Sequence, residues 1–198
     1  MFLVDHLFVF LLFVVHPIHS AYAFRAYLEK LKAGKKANRV GLYREAANTD
    51  WIAFAVLMGT WIYLDRDLAS LGYVAPAGPE FWIGFALVGV MTSLLLYSWW
   101  SARALSDDER DRNRTSFGKL VHFMPQTDRE YRAFQGISVT AGIVEETIYR
   151  GFVFWYLAPL LPLWAVVLVS SLAFGLGHSY QGSGGVAKVT LIGIAAGA

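Results

Sequence analysis

The sequence predicts an all-α protein, a polytopic transmembrane helix bundle of about six membrane segments with the last one truncated. Three observations carry this. Apolar residues make up 56% of the 198 residues and charged residues 16%, against roughly 45–50% and about 25% in soluble domains. Residues 81–100, FWIGFALVGVMTSLLLYSWW, run without a single charge; about twenty residues at 1.5 Å each cross a hydrocarbon layer of roughly 30 Å. Finally, 15 of the 17 Lys/Arg fall within residues 25–50 and 103–150, between apolar runs. The same composition excludes a disordered chain, a nucleic-acid module and an ordinary soluble enzyme. With no cysteine, there is no disulfide, zinc-thiolate site, Fe–S cluster or thiol nucleophile. A net charge of +2 is too small to imply an anionic partner.

Residues 2–23 form the first expected helix, interrupted by Asp5, His6, His16, Pro17 and His19. Ala21-Tyr22-Ala23 resembles a signal-peptidase site, but no Lys or Arg precedes the apolar stretch and seven follow it by Arg44. A signal peptide has the opposite order, so the helix is read as retained, with its N-terminus outside. Residues 51–64 give a shorter span, about 21 Å, with Trp51, Trp61 and Tyr63 suited to its interfaces. In 81–100, Phe81 and Trp82 mark one interface and Trp99 and Trp100 the other. Segments 133–159, 163–179 and 186–198 follow. Pro159 and Pro162 punctuate the first connection, and Gly182, Gly184 and Gly185 the second. Residues 1–80 are thus N-terminal membrane helices and 81–198 the core.

Counting basic residues orients the chain. Loops 24–50 and 101–132 each carry seven Lys/Arg, and loop 65–80 only Arg66. The first two are expected in the cytoplasm. The mixed-charge stretch 106–114, SDDERDRNR, reads as a solvated loop or helix face.

Segment 133–159 places Glu145, Glu146 and Arg150 inside AGIVEETIYRGFVFWYL. Each such group costs at least ~2.5–3.5 kcal/mol at membrane depth, and those that persist are paired or face a wet cavity. Glu146 and Arg150 are four apart in the favourable order for a helix pair, which reads as structural. Removing Arg150 from a buried pair of this kind would cost on the order of 3–5 kcal/mol. Glu145 has no partner on its own helix and is suited to move a proton. His178 ends the next apolar run, on one face with Ser171 and Phe174. The turn centres near Leu160 and Leu161, with Glu145 and His178 almost equidistant from it along the chain. An antiparallel hairpin therefore sets both at one depth, roughly 20–25 Å along their helices. A carboxylate and an imidazole at one level can orient a water as base and partner, or supply two ligands to a metal.

Glu145-Glu146-Thr147-Ile148-Tyr149-Arg150 matches EExxxR, and Phe174-Gly175-Leu176-Gly177-His178 matches FxxxH. In order, spacing and placement the two resemble the motifs of the CPBP intramembrane proteases, the CAAX-protease, Abi and bacteriocin-processing family, over about residues 80–198. The resemblance implies an integral-membrane endopeptidase cleaving peptide or prenylated-protein-like substrates near the cytoplasmic face. Glu145 would be the general base, His178 would position the water, Glu146 and Arg150 would be the supporting pair, and Phe174 would be packing. The family is described both as metalloproteases and as glutamate-dependent enzymes without metal. No firm cofactor follows; a divalent metal such as zinc, if bound, would take Glu145 and His178. The expected partners are the lipid bilayer and a peptide or membrane-protein substrate, with no nucleic acid. The expected location is a bacterial or archaeal plasma membrane, crossed several times. The family's third element, HxxxN on a later helix, has no counterpart after His178. The alternatives are a fragment of a longer enzyme or a non-catalytic Abi-like member, such as an immunity factor or scaffold.

Overall fold

The computed structural model describes residues 1–36, 38–74, 78–116 and 118–197. Every regular element among them is helical, as expected. α1 (Leu3–Phe10), a π-turn over Leu11–Val15 and α2 (His16–Lys32) run on as one rod, Leu3–Lys32. Pro17 has no N–H to return to the carbonyl four residues earlier, and the widened turn lies directly before it. α3 (Arg39–Tyr63) follows, with the Asn38 side chain accepting from the Gly41 N–H at 3.0 Å. The expected loop 24–50 is therefore largely helical. Its Lys, Arg, Glu, Ala and Leu residues are strong helix formers, so the charge there extends the helices past the apolar boundary instead of opening a loop.

By their contacts, Met1–Tyr73 with His122–Ala198 form one compact unit and Val74–Val121 a second. The second unit holds α4 (Gly78–Arg103) and α5 (Asp107–Ser116). α4 is exposed along its apolar length, and its last-turn Arg103 stacks 3.6 Å over the Trp99 ring. α5 starts from a capping box: Glu109 accepts from the Ser106 N–H at 2.9 Å and its hydroxyl at 2.8 Å. The stretch 106–114 is thus an exposed helix with a capped start.

The first unit continues with α6 (Asp128–Glu146), a π-turn over Thr147–Phe152 and α7 (Val153–Leu157). Past a turn at 158–162 come α8 (Leu163–Gly177) and α9 (Ser183–Gly197). α3 and α6 run parallel, because their contacts climb together. Arg39 lies 3.4 Å from Glu130, the Tyr43 ring packs on Phe134 at 5.4 Å, and Trp51 Nε1 donates to Thr140 Oγ1 at 3.1 Å. The first rod runs the other way, with Phe8 against Phe152 at 5.1 Å. α8 and α9 are antiparallel and very close. A Cβ on Gly175 would lie 2.9 Å from the Val186 carbonyl oxygen, so glycine is what allows the approach. Leu57, Trp61, Val144, Ile148, Phe152, Val153 and Val166 fill the centre.

Among the described residues two helices are long and apolar enough to cross a bilayer, Leu3–Lys32 and Phe81–Arg103. α8 and α9 are apolar but have 15 residues each, about 22 Å of helix.

Candidate active site

Glu145 sits in the last turn of α6, where the helix widens into the π-turn. Such turns shift the side chains that follow by a fraction of a turn and recur at functional sites. Here the turn is held from two sides. Thr147 Oγ1 donates to the Ile143 carbonyl at 2.8 Å and meets the Tyr73 hydroxyl at 2.6 Å. Ser170 of α8 donates to the Tyr149 carbonyl at 2.7 Å, fixing the register of the hairpin.

His178 caps the end of α8. Its Nδ1 lies 2.9 Å from the Phe174 carbonyl oxygen. A carbonyl only accepts, so Nδ1 carries the proton and the neutral ring keeps its lone pair on Nε2. Nε2 is 4.0 Å from Glu145 Oε1, and the side chains are 19% and 25% exposed. That separation is too long for a hydrogen bond but leaves each atom within about 2.6–3.2 Å of one shared water. The two residues that the equal-depth reading paired are therefore together.

Phe174 joins the remaining motif residues. Its ring lies 4.8 Å from the His178 ring and 5.2 Å from Tyr149, and the Arg150 guanidinium sits 4.6 Å from its centroid. Glu146 and Arg150 are 3.1 Å apart. The burial differs from the expectation of a buried carboxylate: Glu146 is 51% exposed and Arg150 14%. The π-turn begins one residue after Glu146 and turns Arg150 inward, towards Phe174 and the Gly193 carbonyl, 3.4 Å from Nη2. The arginine is thus the buried partner.

Two further groups border the site. Asp50 of α3 stands close enough for its charge to act on Glu145 and Tyr149. His16 packs on Gly177: a Cβ there would lie 3.2 Å from His16 Cε1 and 3.2 Å from the Tyr149 hydroxyl. Both residues come from helices far away in sequence. Asp50 opens an apolar run and His16 interrupts one; an ionisable group at membrane depth is the signal that marks each.

A catalytic zinc takes three protein ligands and keeps one position for water. Glu145 and His178 supply two, and among the described residues no group of three His, Asp or Glu stands close enough to hold an ion. The described residues do not make up a zinc site.

The first unit is thus a helical bundle that presents a carboxylate and an imidazole from adjacent helices to one point. Residues 131–198, which hold Glu145, Glu146, Arg150, Phe174 and His178, match the family model described as type II CAAX prenyl endopeptidase Rce1-like. The resemblance carried by EExxxR and FxxxH is therefore shown over that segment, and at family level it is that of CAAX-type intramembrane proteases, which are membrane-embedded. No curated protein and no solved structure matches the chain.

Proposed function

We propose that the protein is an integral-membrane endopeptidase in which Glu145 activates the attacking water and His178 orients it. The observation that carries this reading is the 4.0 Å gap between Glu145 Oε1 and His178 Nε2, with Nδ1 of the same ring tied to the Phe174 carbonyl. Both facing atoms accept hydrogen bonds when the carboxylate is ionised and the ring neutral. A water between them gives one proton to each and turns a lone pair towards a peptide carbonyl carbon. Glu145 takes the proton as the water oxygen bonds to that carbon. The C–N bond then breaks, the proton passes to the leaving amine, and the products are a carboxylate and an amine.

The substrate is a peptide or a prenylated-protein-like C-terminus at the cytoplasmic face of a bacterial or archaeal plasma membrane that the chain crosses several times. The basic stretches ahead of α3 and α6 support this orientation, because the two helices start side by side. The test is cleavage of a fluorescent peptide ending in a prenylated CaaX sequence by the chain in liposomes. Glu145→Gln keeps the shape and removes the base. It should lower the rate about 10²–10⁴-fold at unchanged folded yield. Equal cleavage by both proteins rejects Glu145 as the base, and no cleavage by either favours the non-catalytic Abi-like reading.

A further inference from the structure

We infer that Arg150 is a specificity residue of the same site: its guanidinium binds the free C-terminal carboxylate of the substrate, about three residues beyond the bond that is cut, in the place that the Glu146 carboxylate otherwise holds. The inference rests on the peptidase reading and deepens it, from cleavage of a peptide to cleavage measured from a chain end.

Three observations single out Arg150. First, the guanidinium is 14% exposed and leaves donors unspent. Its Nη1 is buried and has no hydrogen-bond partner among the described residues, because the Glu146 carboxylate, 3.1 Å away, is out of line with the N–H bonds. Its Nη2 has only a stretched contact, 3.4 Å, to the Gly193 carbonyl. A buried donor without an acceptor is costly, and a guanidinium fork suits a carboxylate, which can take two parallel bonds from it. Second, the group that covers Nη1 is removable. Glu146 is 51% exposed, and its side chain ends in the same chemical group as a peptide C-terminus. Swinging it outward opens the approach to Nη1 and exchanges one anion for another. Third, the distances suit a chain end. The Arg150 Cζ is 4.6 Å from the Phe174 centroid, and that ring is 4.8 Å from the His178 ring. Two ring contacts thus link the guanidinium to the imidazole. Glu145 and Arg150 are also five residues apart along one helical run, about 7–8 Å of rise. Three extended residues reach at most about 10–11 Å, which covers that gap.

Depth supplies the need. With the Asp128 end of α6 at the cytoplasmic face, Arg150 lies deeper in the bundle than Glu145. A substrate cut beside Glu145, with its last residues running on past the site, carries its terminal carboxylate inward. An unpaired carboxylate at that depth is strongly disfavoured, and a guanidinium waiting there removes the penalty. An arginine kept only to brace the fold would be bonded as Arg66 is, with both terminal nitrogens on Asp5 at 2.8 Å.

The experiment measures kcat and KM for two prenylated CaaX peptides, one ending in a free carboxylate and one in its amide. The proteins are wild type, Glu145→Gln, Glu146→Gln, Arg150→Gln and Arg150→Lys, each as full chain in liposomes with folded yield measured. Losing a charge-assisted bond typically weakens recognition about 10–100-fold. Wild type should therefore prefer the acid to the amide by about that factor in kcat/KM. Arg150→Gln should bring the two peptides within about threefold of each other by slowing the acid alone. Arg150→Lys, which keeps the charge and loses the fork, should retain part of the preference. A purely structural role would lower folded yield or slow both peptides equally, leaving the preference intact. If Arg150→Gln does not accumulate, Glu146→Gln decides: removing the competing anion should lower KM for the acid at least about threefold and leave that for the amide unchanged. A wild type indifferent to the amide, an Arg150→Gln protein that keeps the preference, or an acid KM unmoved in Glu146→Gln overturns the assignment while leaving a Glu145-dependent peptidase intact. A wild type that cleaves neither peptide, or Glu145→Gln as active as wild type, overturns the peptidase reading and the Arg150 role with it.

Discussion

Two regions of the first unit hold charged pairs inside an apolar bundle, and they are built in opposite ways. At one end, Asp5 is 2% exposed and accepts both terminal nitrogens of Arg66 at 2.8 Å, plus the Phe2 N–H at 2.7 Å. The guanidinium is enclosed by Trp61, Trp155 and Phe2 at 4.7, 4.6 and 5.4 Å. At the site, Glu145 and His178 stand 4.0 Å apart. The rule for charges at membrane depth marks Glu145, Glu146 and Arg150, while Asp5 interrupts the first apolar run and Arg66 falls in the loop 65–80. What separates them is pairing: Asp5 and Arg66 bind each other bidentately, whereas Glu145 and His178 face each other without a hydrogen bond.

The sharpest way to break this contrast is to unpair the satisfied end. Arg66→Ala leaves Asp5 buried without its bidentate partner, which costs about 3–5 kcal/mol. Folded yield and thermal midpoint should fall steeply, while cleavage per folded molecule stays within about threefold of wild type. Replacing both partners, Asp5→Leu with Arg66→Met, should recover most of the loss, because an apolar pair of similar volume carries no desolvation cost. An Arg66→Ala protein that melts like wild type would mean that the pair is not the clamp its geometry suggests.

Arg150 lies between the two extremes. The sequence suggests a buried Glu146–Arg150 pair worth as much as Asp5–Arg66. The half-exposed Glu146 changes that, because solvent screens the carboxylate left behind. What Arg150→Ala removes is the contact with the Phe174 face, about 0.5–2 kcal/mol, with a weak bond to the Gly193 carbonyl at 3.4 Å. The expected destabilisation is about 1–2 kcal/mol, less than half that of Arg66→Ala in a side-by-side melt. A loss as large as that of Arg66→Ala would mean that Glu146 is shielded in the membrane.

The same contrast explains what could be read from the residues alone. Glu145 and His178 lie on one hairpin whose turn is marked by Pro159 and Pro162, so counting from the turn was enough to pair them. Asp50 and His16 reach the site through packing between elements far apart in sequence, and no local spacing encodes that. The parallel run of α3 beside α6 is fixed by Trp51 on Thr140 and Tyr43 on Phe134, contacts that hydropathy does not register. Hydropathy also misplaced the helix starts. α3 begins at Arg39 and α6 at Asp128, in polar sequence, because caps and helix propensity set the ends while apolarity marks only the part that can enter lipid. Thr127 and Glu130 form a T-x-x-E pattern that announces the start of α6 without any apolar residue.

That capped start gives the smallest expected effect, and it tests whether satisfied charges at the rim behave as a weak version of the Asp5–Arg66 clamp. The Glu130 carboxylate is held below its ordinary range first by the Gln126 N–H at 2.8 Å, and then by Arg39 at 3.4 Å. Its folded pKa is depressed, so its stabilisation is fully present above the unfolded value and is lost as pH falls through the folded one. The Arg39 and Glu130 side chains are 10% and 13% exposed, but at 3.4 Å the pair is loose, and such a pair at the rim contributes at most about 1 kcal/mol. At about pH 7, Glu130→Gln should therefore melt slightly below wild type. The gap should close as the pH is lowered through the acid range and the wild-type carboxyl takes up its proton. A gap that stays constant down to about pH 3.5 would assign the stabilisation to hydrogen bonds that the glutamine also loses. A gap that widens in acid would contradict the lowered pKa itself.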